Sequence, residues 1–188
     1  MALSCIFSIL FPIFSLASKF GIGCISKEAY DFIDFLKESG QGYWQILPIG
    51  PTGYGDSPYQ SFSTFAGNPY FISPDLLIKE GLLTQKEVDA YDFGDDPFSI
   101  DYGKLYNNRL LMLEEAFARF NPDEAYESFV KENAFWLDDY VLFMALKNLH
   151  QDHSWTEWED EYRFRDEKAL NKIREENAKR MDLYRFVQ

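Results

Sequence analysis

The sequence predicts an α/β chain: the N-terminal part of a β/α (TIM-type) barrel with a large, mostly helical inserted subdomain, the barrel itself incomplete. Three observations predict it. The first fifty residues read as strand, helix, strand. A loop dense in glycine and proline follows the second strand, and a helical block of more than a hundred residues follows the loop. A complete barrel of this type takes eight strand–helix units and about 250 residues. A chain of 188 residues with two barrel-like strands therefore holds only its opening. The expected division is 1–74 for the first strands and loop, and 75–188 for the helical insertion, truncated at its C-terminal end inside a helix without a stop signal.

The first strand is expected within Ala2–Leu16, an apolar stretch. A signal-peptide core is the competing reading. No Lys or Arg precedes the stretch and Pro12 interrupts it, both against a signal peptide, and it is too short to span a bilayer. A buried strand of a parallel sheet fits better. Lys19–Ile25 then reads as a loop. Ser26 stands at an N-cap position, Ala29, Phe32, Ile33 and Leu36 follow at helical spacing, and Gly40 sits where a helix would stop. Tyr43–Leu47 is short, nearly all apolar and closed by Pro48, as a buried strand would be. Together these make one βαβ unit, with the right-handed crossover such units adopt.

Gly50–Pro69 cannot be a helix, because its glycines and prolines break one. It is long for a connector, and long ordered loops in compact domains tend to carry function. Tyr70–Ile72 is expected to add a short strand. Beyond Pro74 the chain turns helical. Thr84 and Glu87 form a capping box. Tyr106, Leu110, Leu113, Phe117 and Phe120 mark one amphipathic helix, and Asn121-Pro122 caps the next. Ala134–Leu149 is apolar on most sides and should be buried. Asp166–Gln188 is charged, with a thin stripe of Leu170, Ile173, Met181 and Tyr184, and reads as one surface helix.

Composition narrows the ligand. The formal net charge is −13, which repels a phosphate backbone and an anionic membrane alike, and no basic stripe breaks the pattern. Nucleic acid and membrane are therefore not expected partners. The plainer meaning of the charge is solubility. Aromatic residues make up 18%, enough for a large core or for a surface that stacks on flat ligands. A sugar ring offers such a face. Cys5 and Cys24 stand apart, with no CxxC pair, so no disulfide framework is expected and a reducing cytoplasm is the simpler setting. His150 and His153 lie three apart without further ligands, too few for zinc. No GxGxxG, GK[ST] or GxSxG pattern occurs. No cofactor is expected.

The long loop carries the chemistry. Gly50, Gly53 and Gly55 give backbone freedom. Asp56, Ser57, Pro58, Tyr59 and Gln60 then bring an acid, a hydroxyl, a rigid turn, a phenol and an amide into five residues. Sugar binding uses these groups, since hydroxyls bond carboxylates and amides while a ring face stacks on an aromatic. A stiff loop that only seals a barrel mouth would need the same residues, and local chemistry does not separate the two.

The run Gly40–Ser61 (GQGYWQILPIGPTGYGDSPYQS), continued by Phe62–Pro69, resembles the 4-α-glucanotransferases of glycoside hydrolase family 77. Phe20–Gly23, Asp101-Tyr102, Trp136–Tyr140, Phe143–Lys147 and Arg185–Gln188 extend the likeness over residues 10 to 188. Residues 1–9 depart from it, and Ala17 stands where the family has proline. The resemblance implies a large β/α barrel with helical insertions, and retaining transfer of α-1,4-glucan segments to another glucan's 4-hydroxyl. That chemistry needs a carboxylate nucleophile and a carboxylic acid about 5–5.5 Å apart. In the family these lie on later barrel strands, so this chain is expected to lack them and to be inactive alone. The resemblance puts Ser57 and Tyr59 on the donor side of the glucan cleft. It makes Tyr54 and Tyr102 the aromatic pair of a second glucan-binding groove, and Asp56 a brace for the loop. Trp44 is expected to pack in the core. The implied partners are α-1,4-glucans and maltooligosaccharides. Two other readings remain: a stand-alone glucan-binding module using Tyr54, Tyr59 and Tyr102, or a non-functional truncated remnant whose two-stranded sheet leaves edges and apolar faces uncovered.

Overall fold

The protein is described from a computed structural model that covers residues 7–53 and 55–188. The start of the apolar N-terminal stretch, Cys5 and Tyr54 lie outside the described residues. The chain packs as two compact units, Met1–Phe120 and Asn121–Gln188.

In the first unit, strand β1 (Ser8–Leu10) pairs in parallel with strand β2 (Tyr43–Gln45), with Ile9 opposite Trp44. Helix α1 (Lys27–Glu38) connects them, which gives the expected strand–helix–strand order. Both strands are shorter than the apolar runs that contain them. Pro12 ends the first run, which passes into a 3₁₀ turn at Ile13–Ser15. The strands are not buried as expected: Leu10 is 57% and Tyr43 64% exposed. A parallel strand is buried only where neighbours and helices cover both faces, and among the described residues the sheet has two strands. Trp44 is half-buried. Its indole donates to the Phe11 carbonyl at 2.6 Å, and its ring meets Phe32 edge-on at 5.0 Å, joining sheet to helix.

Ser26 holds the N-cap position of α1, yet its hydroxyl bonds Glu28 and the Cys24 carbonyl and leaves the helix amides uncapped. The other end follows expectation. Gly40 takes a φ of 70°, a left-handed conformation that favours glycine, and Gln41 N–H reaches back to the Leu36 carbonyl at 2.9 Å. Residues 69–71 form a 3₁₀ turn, not the short strand expected at 70–72, because Pro69 sets the turn and Asn68 accepts from the Tyr70 amide at 2.9 Å.

Helices α2 (Pro74–Lys79) and α3 (Gln85–Val88) follow. The capping box is present: Glu87 N–H donates to Thr84 Oγ1 at 3.3 Å, and Thr84 N–H donates to Glu87 Oε2 at 2.8 Å. Helix α4 (Tyr102–Phe117) buries Leu105, Arg109, Met112, Leu113 and Ala116. The expected stripe was rotated from this face; Tyr106, placed on it, is 61% exposed.

In the second unit, the 26-residue helix α5 (Glu124–Leu149) is capped by Asp123, two residues beyond the expected Asn121-Pro122, through a 2.8 Å bond from Tyr126 N–H. It buries Leu137, Tyr140, Val141, Leu142, Ala145 and Leu146. Helix α6 (Asp160–Arg163) is one short turn. The final segment is two helices, α7 (Glu167–Glu176) and α8 (Ala178–Val187), broken at Asn177. It is not a surface helix alone: α8 packs along α5 and buries Met181, Leu183, Tyr184 and Val187. Among the described residues no helix is long and apolar enough to cross a membrane, and no cluster of three metal-ligating side chains occurs.

Arg119 donates to Glu87 Oε2 at 3.0 Å and to the Leu82 carbonyl at 2.8 Å. This guanidinium, with the Thr84 amide and hydroxyl, holds the Glu87 carboxyl down to about 2. A depressed folded-state pKa contributes stability above the unfolded value and loses it as pH falls through the folded one. Glu87→Gln is expected to lower Tm at neutral pH, with the gap to the parent closing as pH falls from 4.5 toward about 2. Circular dichroism melts across that range check it; a gap that stays constant with pH contradicts it.

Candidate functional site

The loop after β2 closes on itself before it closes on anything else. Asn68 N–H donates to the Ile49 carbonyl at 2.8 Å, bringing the loop's two ends together. Ser61 Oγ donates to the Ser63 carbonyl at 2.7 Å, and Ser63 Oγ accepts from Phe65 N–H and Ala66 N–H at 3.3 and 3.1 Å. Gly50 is needed at the closure. A Cβ there would meet Ser61 Oγ at 2.5 Å and the Ser63 carbonyl at 3.3 Å. Such short side-chain-to-backbone bonds give a loop a fixed shape without a helix or sheet.

Within the loop, Asp56 N–H bonds the Gly53 carbonyl at 3.1 Å, and Gln60 N–H bonds the Ser57 carbonyl at 3.0 Å, so two tight turns follow each other. Ser57 is half-buried, and its hydroxyl accepts weakly from Tyr59 N–H at 3.4 Å. Tyr59 is 73% exposed. Asp56 has a φ of 53°, a left-handed conformation that costs an L-residue about 1–2 kcal/mol. Non-glycine residues held there cluster at functional sites.

The Asp56 charge is felt by two phenols, Tyr70 and Tyr102. Burial, then the Asp56 charge, pushes the Tyr70 phenol up to about 12, with Tyr106 and Tyr102 adding smaller effects and Arg109 opposing. Burial and then Asp56 also raise Tyr102, the first residue of α4. Burial in turn raises the Asp56 carboxyl above its ordinary value. Of the residues singled out from sequence, Tyr102 feels the Asp56 charge, and Ser57 and Tyr59 share one turn. Tyr54, the expected partner of Tyr102, is outside the described residues.

Tyr70 and Arg109 were not anticipated. Arg109 is fully buried. Its Nη2 donates to the Phe20 carbonyl at 2.9 Å and lies 4.0 Å from Cys24 Sγ, and its Nη1 reaches the Ile72 carbonyl at a longer 3.5 Å. The guanidinium stacks 4.7 Å from the centre of the Phe93 ring. Its Nε–H is buried with no hydrogen-bond partner. Cys24 is a buried free thiol. Its two carbonyl acceptors make Arg109 a fastener of backbone: Ile72 leaves the loop, Phe20 precedes α1, and Tyr102 stands seven residues earlier on the same face of α4.

Arg109→Met keeps much of the volume and removes the charge-assisted bonds. It is expected to destabilise the chain by about 2–4 kcal/mol, read by urea denaturation. Arg109→Lys should recover only part of that, because an ammonium lacks the planar fork that reaches two carbonyls at once. Full recovery by lysine would show that charge alone suffices.

Comparison with known proteins bears on the whole chain. A protein family described as 4-alpha-glucanotransferase matches residues 11–188. A 4-alpha-glucanotransferase of Clostridium butyricum is 44% identical over 176 residues, covering 93% of this chain and 36% of that protein. The Thermus thermophilus 4-alpha-glucanotransferase is 44% identical over 188 residues, covering 97% of this chain and 37% of that one. A solved amylomaltase from Streptococcus agalactiae in complex with acarbose superimposes with a TM-score of 0.91 at 37% identity, covering 98% of this chain and 38% of that structure. The chain therefore spans little more than a third of the length of the relatives it matches.

Proposed function

This chain belongs to the 4-α-glucanotransferase family, and on that premise we propose that it is part of an enzyme moving α-1,4-glucan segments onto the 4-hydroxyl of an acceptor glucan or glucose. In this reading residues 1–74 open a β/α barrel and residues 75–188 are a helical insertion. The loop from Gly50 to Pro69 holds the sugar chain, Ser57 and Tyr59 face the donor, and Tyr54 and Tyr102 form a second glucan groove. Asp56 braces the loop between them. The setting is cytoplasmic.

The reaction is retaining. A carboxylic acid protonates the scissile glycosidic oxygen as a carboxylate attacks the anomeric carbon, which leaves a covalent glycosyl-enzyme. The acceptor's 4-hydroxyl then attacks that carbon, gives its proton to the conjugate base of the acid and frees the nucleophile. The two carboxyl groups belong to parts of the family's length outside these 188 residues. What this chain contributes is binding and orientation. An exposed phenol can stack on a sugar face, and a hydroxyl and an amide beside it can bond the ring's edge.

The observation that carries the reading is the match over residues 11–188. The self-bonded loop that presents Tyr59 supports it. Calorimetric titration with maltoheptaose tests the binding role. Tyr59→Ala and Tyr102→Ala are each expected to weaken binding about fivefold, the worth of one aromatic stacking contact. Unchanged affinity in both variants sinks the loop assignment. Incubation with maltotriose tests the division of labour: these 188 residues alone should yield no glucose, whereas a chain of the family's full length should yield glucose and longer maltooligosaccharides.

A further inference from the structure

The second unit contains a cavity of about 280 Å³ that the loop reading leaves unused. Its walls include Phe143 of α5, the two indoles Trp155 and Trp158, and Tyr162, with Asp139 and Arg165 among its polar residues. The two indoles differ. Trp158 is 5% exposed and locked, stacked on His150 at 4.9 Å and tilted against Phe143 at 5.5 Å, with its N–H donating to the His153 carbonyl. Trp155 is 54% exposed, a large apolar ring left open to solvent on the wall of a cavity.

The polar residues also stand out. Arg165 has a φ of 59°, at the end of α6, where Asp166 N–H reaches back to the Glu161 carbonyl at 2.8 Å. Glycine is favoured at such a left-handed helix end. Arginine there keeps a side chain, and that side chain donates to Asp139 Oδ1 at 2.6 Å. Both partners of this pair remain more than half exposed, so a ligand can reach them. Arg163, also lining the cavity, is paired with Asp160 at 3.1 Å and keeps its Nε–H buried without an acceptor.

We propose that this cavity is a sugar-binding subsite that takes one pyranose ring, with Trp155 as the stacking face and the Asp139–Arg165 pair as the clamp on two neighbouring hydroxyls. Asp139 accepts from one hydroxyl, and Arg165 donates to the oxygen of the next. The charge balance argues for a neutral ligand: each guanidinium at the cavity already has a carboxylate partner, and the chain as a whole carries −13, so an anion gains little there. A planar aromatic ligand could stack on Trp155 but would leave the acid–guanidinium pair unused. The volume is at the small end of ligand pockets, which run from about 300 Å³ upward. It suits one ring, either a free sugar or the end of a longer chain. The site is separate from the loop and does not depend on the loop's assignment.

Fluorine NMR of the chain carrying fluorine-labelled tryptophan, with the Trp155 signal assigned by Trp155→Phe, tests the proposal. Maltose, maltoheptaose and cellobiose are titrated in turn. The Trp155 resonance is expected to shift saturably at millimolar sugar. Asp139→Asn should weaken that response about tenfold through loss of the clamp, while Tyr59→Ala leaves it unchanged. Equal response to maltose and maltoheptaose indicates recognition of a single ring or chain end; response to cellobiose as well shows that the α-linkage is not read. A Trp155 signal that no sugar moves, or a response unaltered by Asp139→Asn, overturns the proposal. Loss of the Trp155 response in Tyr59→Ala would also overturn it, by making the cavity an extension of the loop. Failure of maltoheptaose to respond to Tyr59→Ala in the calorimetric titration would count against the loop alone.

Discussion

A guanidinium carries five N–H donors and a charge it does not give up, so a chain that buries one must bring acceptors to it from several directions. Arg109 imposes that demand on the first unit. The acceptors it receives are the carbonyls of Phe20 and Ile72, with the face of Phe93 beneath the charge. These residues are far apart in sequence, and the hydrogen bonds hold them against one helix. Ile72 lies just past the end of the long loop, so the point where that loop leaves the surface is tied to α4. The first turn of the same helix carries Tyr102.

The loop itself shows how an irregular segment can be rigid. Its serine hydroxyls and one asparagine satisfy backbone groups that a helix or sheet would otherwise pair. Gly50 permits the close approach that shuts it, and Asp56 accepts a left-handed backbone inside it. A segment built this way presents side chains such as Tyr59 without losing its shape. The cavity beside Trp155 uses the same two ingredients, an open aromatic face and a polar pair at hand, on a helical framework in the other unit.

Much of this was legible in the residues. The order strand, helix, strand, the stop at Gly40, the capping box of Thr84 and Glu87, and the apolar positions Leu170, Ile173, Met181 and Tyr184 all follow local rules of spacing and hydrogen bonding. The misreadings have physical causes. The stripe expected on α4 shares Leu113 with the buried face but is rotated from it, because the charged Arg109 belongs to that face. Asp123 displaced Asn121 as a cap because a carboxylate could reach the Tyr126 amide. The break at Asn177 left no proline or glycine to announce it. The loop after β2 was readable as a loop, and so was the family resemblance that the match over residues 11–188 bears out. Tyr70 and Arg109 were not, because neither residue type at its position marks burial.

By itself, the sequence determined the strand–helix–strand order, the helix stop at Gly40, the capping box of Thr84 and Glu87, which segment had to be a loop, and which family the chain resembles, since each rests on neighbouring residues or on an unbroken run of them. Tertiary structure alone decided which face of α4 is buried, how much of each apolar run becomes strand, and which side chains line the cavity beside Trp155. Those outcomes depend on contacts between residues distant along the chain, where burial and the need to pair every buried polar group outweigh local preference.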